Sequence, residues 1–130
     1  EARKAERAVA MALEALESLY RQTERWRDLL DVYNKKRDLA VEGEERKQIL
    51  YEIARLYQTQ IGDPAAAIET YRAVLEDDAT DAVALKALDG LYQQTSDWEQ
   101  YADVLRRRIE LDVHSTEEAS RRPDPVAGTG

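Results

Sequence analysis

Residues 12–40 and 84–112 are two copies of one pattern. They align without a gap at an offset of 72, from Ala12 to Ala84, and share Leu13/Leu85, Ala15/Ala87, Leu16/Leu88, Leu19/Leu91 and Tyr20/Tyr92. The identities run on through Gln22/Gln94, Thr23/Thr95, Trp26/Trp98, Asp31/Asp103, Val32/Val104 and Leu39/Leu111. Generic helical composition does not give agreement of that density, so the two stretches fold alike. A third unit fits between them at residues 49–76, where Leu56-Tyr57 answers Leu19-Tyr20 and Leu91-Tyr92. Tyr20, Tyr57 and Tyr92 then stand 37 and 35 residues apart, a period proper to helical-repeat arrays.

Each unit reads as two helices. Apolar residues recur at spacings of three and four: Val9, Leu13, Leu16 and Tyr20; Ile49, Ile53 and Leu56-Tyr57; Leu85, Leu88 and Tyr92. Second helices follow with Trp26, Leu29-Leu30 and Tyr33; Ile68, Tyr71 and Leu75; Trp98, Tyr101, Leu105 and Ile109. Such spacing gives each helix one buried stripe. No stretch sustains the period-two alternation of a strand. The breaks agree: Gly62 suits a left-handed helix end, Asp63 a cap and Pro64 a first turn. Ser96 and Glu99 have capping-box spacing, Asp81 is a cap for the helix after it, and Gly43 separates the first two units.

The middle unit resembles the tetratricopeptide repeat family most closely. Ala54 is the small residue of its first helix and Tyr57 the aromatic three positions on; Gly62-Asp63 matches the family's turn. Ala67-Ile68 and Tyr71 match its second helix, and Asp78-Ala79 stands where Asp-Pro usually closes a unit. One residue is inserted before the turn. In the outer units the family's small second-helix residue becomes Leu29 or Tyr101. The resemblance covers residues 9–111. It implies an all-α fold, a right-handed superhelical stack of three antiparallel helix hairpins, with units at about 3–42, 43–79 and 80–114. Residues 115–130 read as a flexible tail, because SRRPDPVAGTG has Pro, Gly and small residues without an apolar period.

Composition restricts function. The chain carries 27 acidic against 19 basic residues, a formal charge of −8, which argues against nucleic acid. It has no Cys, so thiolate chemistry and zinc sites of Cys/His type are excluded. No apolar run reaches the ~20 residues of a membrane span. The charged start, Glu1-Ala2-Arg3-Lys4, is unlike a signal peptide, so a cytoplasmic setting is favoured. Opening on Glu1, the chain is expected to be processed or part of a longer protein. The one His, His114, has no visible partner to orient it as a base. Neither Asp77-Asp78 nor Glu44-Glu45 has calcium-loop spacing. No catalytic, cofactor or metal site is expected.

Trp26 and Trp98, equivalent by repeat, read as structural anchors between helices. Lys35-Lys36-Arg37 and Arg106-Arg107-Arg108 lie near the ends of second helices. There they oppose the negative end of the helix dipole, which accounts for their position without a ligand. A pair of anion-binding ridges is the functional alternative.

First helices line the concave face of tetratricopeptide stacks. The resemblance therefore makes polar first-helix residues outside the core the candidates for a partner: Glu14, Ser18, Arg21 and Gln22; Gln48, Tyr51, Arg55 and Gln58; Lys86, Gln93 and Gln94. Tyr51 and Arg55 stand out, one turn apart and of types common at binding hot spots. The Lys/Asn clamp with which some members hold a terminal carboxylate has no counterpart. The implied function is a non-catalytic scaffold that holds a peptide or helix of a protein partner. A spacer or end-to-end self-association module in a larger array is the alternative.

Overall fold

The computed structural model describes residues 2–121, and no strand occurs among them. Six helices follow in order: α1 (Ala2–Gln22), α2 (Trp26–Leu39), α3 (Gly43–Leu56), α4 (Pro64–Asp77), α5 (Ala82–Gln94) and α6 (Trp98–Arg121). A π-helical turn, Tyr57–Ile61, extends α3. The chain divides into two compact units, Glu1–Ala84 and Leu85–Gly130, with the division inside α5.

The turns between paired helices repeat one closing bond with a one-residue difference in the middle hairpin. In the first hairpin Glu24 is left-handed (φ 57°), and Arg25 N–H donates to the Tyr20 carbonyl at 2.9 Å. The third repeats this with Ser96 (φ 57°) and Asp97 N–H on Tyr92 O at 2.9 Å. Thr23 and Thr95 each return a hydroxyl to the carbonyl four residues back, at 2.8 and 3.0 Å. In the middle hairpin the left-handed residue is Gly62 (φ 75°), and Asp63 N–H reaches Tyr57 O at 2.8 Å across one residue more. The π-turn absorbs that inserted residue, so the hairpin keeps its closing bond. Asp63 caps α4 through Ala66 N–H (3.1 Å) with Pro64 behind it. The expected Ser96–Glu99 box does not form: left-handed Ser96 closes α5, and Asp97 takes Gln100 N–H instead.

In the first unit α1 packs on α2, α2 on α3, and α3 on α4. Its core holds Leu29, Leu30 and Tyr33 of α2, Leu50, Ile53, Ala54 and Leu56 of α3, and Ala67, Tyr71 and Val74 of α4. Ala54 and Ala67 are wholly buried, small enough to let neighbouring helices approach closely. In the second unit Leu85, Leu88, Leu91, Tyr92 and Val104 are buried.

Two anchors expected from the repeat separate here. Trp26 is half-buried, but Trp98 is 60 % exposed and meets Tyr101 with its ring tilted by 60°, 6.2 Å between ring centroids. Trp26 shares its surroundings with Leu56, Thr59 and Gln60, whereas Trp98 keeps the register without that cover. The first part of the expected tail, 115–121, is helical. Residues 115–121 continue α6, since Thr116, Glu117, Glu118 and Ala119 are compatible with helix, and Thr116 bonds the Asp112 carbonyl at 2.9 Å. The rest of that expectation, 122–130, lies outside the described residues.

Candidate functional site

Tyr51 is not a surface residue. It is 6 % exposed, and its hydroxyl donates to the Asp81 carboxylate, 2.6 Å from either oxygen. The stripe through Ile49, Ile53 and Leu56 is only part of what α3 buries. Because α2 and α4 both pack on this helix, Leu50, Tyr51 and Ala54 are buried as well. Asp81, itself buried, accepts Ala84 N–H at 2.9 Å and so caps α5 as expected. Lys47 Nζ lies 3.0 Å from Asp81 and 3.3 Å from Asp78. Burial alone would raise the Asp81 pKa. Hydrogen bonds from Tyr51, Ala84 N–H and Lys47 outweigh it and hold the carboxyl below its ordinary value. Burial, then the bond to Asp81, pushes the Tyr51 phenol well up, and the bond to Asp81 does the same for Lys47. This network fastens α3 to the start of α5 and belongs to stability.

The other ten candidates are exposed. Glu14 and Gln48 come together in an open groove of about 650 Å³. Val9 and Leu13 of α1, Leu39 of α2, Val41 of the connection and Ile49 of α3 floor it. Glu6, Glu14, Glu45 and Gln48 stand around it with Lys36. Lys36 is engaged with Glu17 at 2.8 Å, while Glu6, Glu14 and Glu45 have no ion pair among the described residues. The rim is therefore acidic over an apolar floor.

Arg21 turns inward, donating to the Tyr33 hydroxyl. Arg55 pairs with Glu52 at 3.1 Å, and both line a second, smaller cavity of about 340 Å³ with Trp26 and Tyr33. Ser18, Gln22 and Gln58 line neither. Lys86, Gln93 and Gln94 belong to the second unit, where Gln93 bonds Asp89 at 2.7 Å. Each basic cluster spends one member inside its own hairpin: Lys36 on Glu17, Arg108 on Asp89.

Sequence reasoning passed over Val41 and Glu45. The visible signal was Leu39-Ala40-Val41, aliphatic residues where a polar connection is expected; Val41 is 95 % exposed. Val9, Leu13 and Ile49 read as core because their spacing is that of a core stripe, yet they also floor the groove.

Paired antiparallel helices closed by repeated left-handed turns define the class of helical-hairpin repeat proteins. The tetratricopeptide repeat family matches residues 12–47, spanning the end of α1, all of α2 and the start of α3. That match and the six-helix order fit an all-α fold of tetratricopeptide-like helix hairpins. The matched hairpin is one that the sequence places further from the family than the middle one, which carries the inserted residue. Comparison with curated proteins returns no match. Tetratricopeptide repeats generally mediate protein–protein interaction and are generally non-catalytic. No helix among the described residues is long and apolar enough to cross a membrane.

Proposed function

We propose that this chain is a non-catalytic interaction module whose α1–α3 groove binds an apolar, positively charged segment of a protein partner. One observation carries the reading: three carboxylates without partners surround an apolar floor that exposes Val9 and Val41. An apolar side chain buried there gains about 25 cal/mol per Å² removed from water. Lys or Arg on its flanks meets Glu6, Glu14 and Glu45, which fixes orientation and speeds encounter. Of the candidate residues, Glu14 and Gln48 belong to this surface, whereas Arg55 lines the smaller cavity beside Trp26.

The test uses two helical peptides, one of Leu and Lys and one of Leu and Glu, titrated against the protein by fluorescence anisotropy. The Leu/Lys peptide binds and the Leu/Glu peptide does not. Glu14→Lys with Glu45→Lys weakens binding about tenfold, from two exposed charge pairs at up to ~1 kcal/mol each. Val9→Gln with Val41→Gln weakens it without altering charge. Affinity that follows net charge but ignores Val9 and Val41 rejects the groove.

A further inference from the structure

Lys36–Glu17 and Arg108–Asp89 are one ion pair made twice, because both of their positions differ by 72 residues. α6 therefore meets α5 in the register with which α2 meets α1. On α2, the flank beside that pair carries Trp26, Leu30 and Tyr33, and α3 packs there. On α6 the same flank carries Trp98, Ala102, Leu105 and Ile109, a turn apart from one another. Trp98 is 60 % and Ile109 61 % exposed, so no helix stands in α3's place among the described residues. Ile109 replaces Arg37 of α2, which makes the uncovered flank more apolar than the covered one.

The counterpart of α3 is α1, since Tyr20 answers Tyr57. Ile49 and Leu56 of α3 lie beside Tyr33 and Trp26 of α2. Their equivalents on α1 are Ala12 and Leu19, and Leu19 is 49 % exposed. This strip lies on the flank of α1 away from the groove.

We propose that α6 of one molecule receives α1 of a second copy, in the register with which α2 receives α3. The molecule already makes this interface once internally. Small Ala12 and Ala15 on α1 admit the bulk of Trp98, Leu105 and Ile109. A contact between two different surfaces leaves one of each free, so association passes beyond a dimer or closes into a ring. The groove reading does not depend on it.

Sedimentation equilibrium of the full chain from about 1 μM to about 1 mM tests it. The mass rises with concentration from the 14.9 kDa monomer past the dimer. Leu19→Glu and Ile109→Glu, exposed positions on helices, each keep the helical spectrum and remain monomeric. Mixed in equal amounts they form a 1:1 dimer and stop, because one supplies an intact α1 and the other an intact α6. A wild-type chain monomeric throughout, a dimer that survives Leu19→Glu, or a mixture that stays monomeric overturns the proposal.

Discussion

Tyr51→Phe isolates one bond in the core. The ring stays, so apolar burial is unchanged; only the hydroxyl that donates to Asp81 at 2.6 Å is lost. A hydrogen bond to a charged group contributes about 1.5–3 kcal/mol. Asp81 keeps Lys47 at 3.0 Å and Ala84 N–H at 2.9 Å, so its carboxylate is not orphaned. The loss therefore falls at the lower end, about 1.5–2 kcal/mol at neutral pH. Urea denaturation followed by circular dichroism reads it as a lower midpoint with unchanged slope. Below the folded pKa of Asp81 the acceptor is neutral, and the difference between Tyr51 and Phe shrinks to about 0.5–1.5 kcal/mol. A loss under ~0.5 kcal/mol at neutral pH, the size of a surface change, refutes the buried tie.

Four further outcomes follow from the same geometry. Glu24→Gly and Ser96→Gly, at φ 57°, each stabilise by about 0.5–1 kcal/mol in urea melts, because left-handed backbone costs a side-chain-bearing residue ~1–2 kcal/mol and glycine's extra unfolded entropy returns part of it. Trp98→Ala, at a largely exposed position, costs about 1 kcal/mol or less in a monomeric sample, where a buried tryptophan would cost ~3–5. Ala54→Leu, at a fully buried site between packed helices, destabilises by about 1–3 kcal/mol or more through overpacking. Because the Asp81 pKa is lowered on folding, its contribution is complete above the ordinary carboxylate value and is lost as pH falls through the folded value; Lys47 and Tyr51, both raised, lose theirs only as pH climbs past their ordinary values near 10. Melting temperature across pH then shows a neutral plateau, and Asp81→Asn flattens its acid limb.

The fold was largely legible because the turns carry their own chemistry. Gly62-Asp63-Pro64 and Asp81 mark helix ends by local bonding, which needs no tertiary information. Ala54 and Ala67 announced close helix packing by size alone. Burial was legible only where a helix has one neighbour. α3 has one on either side, so its buried arc takes in Tyr51, one position beyond the stripe that periodicity predicts. Trp98 inherits its register from Trp26, but cover comes from the adjoining helix and does not travel with register. The groove was half visible: Glu14 and Gln48 follow from repeat position, whereas Val41 of the connection and Glu45 of the first turn of α3 join them only because the folded chain brings both beside α1.

Nitrogen-15 chemical-shift mapping of the Leu/Lys peptide on the labelled chain tests the central claim most directly. The groove account places the largest shifts at Val9, Leu13, Val41, Gln48 and Ile49, all within the first unit. Shifts centred on Trp98 and Ile109 of α6, or none at saturating peptide, would contradict it.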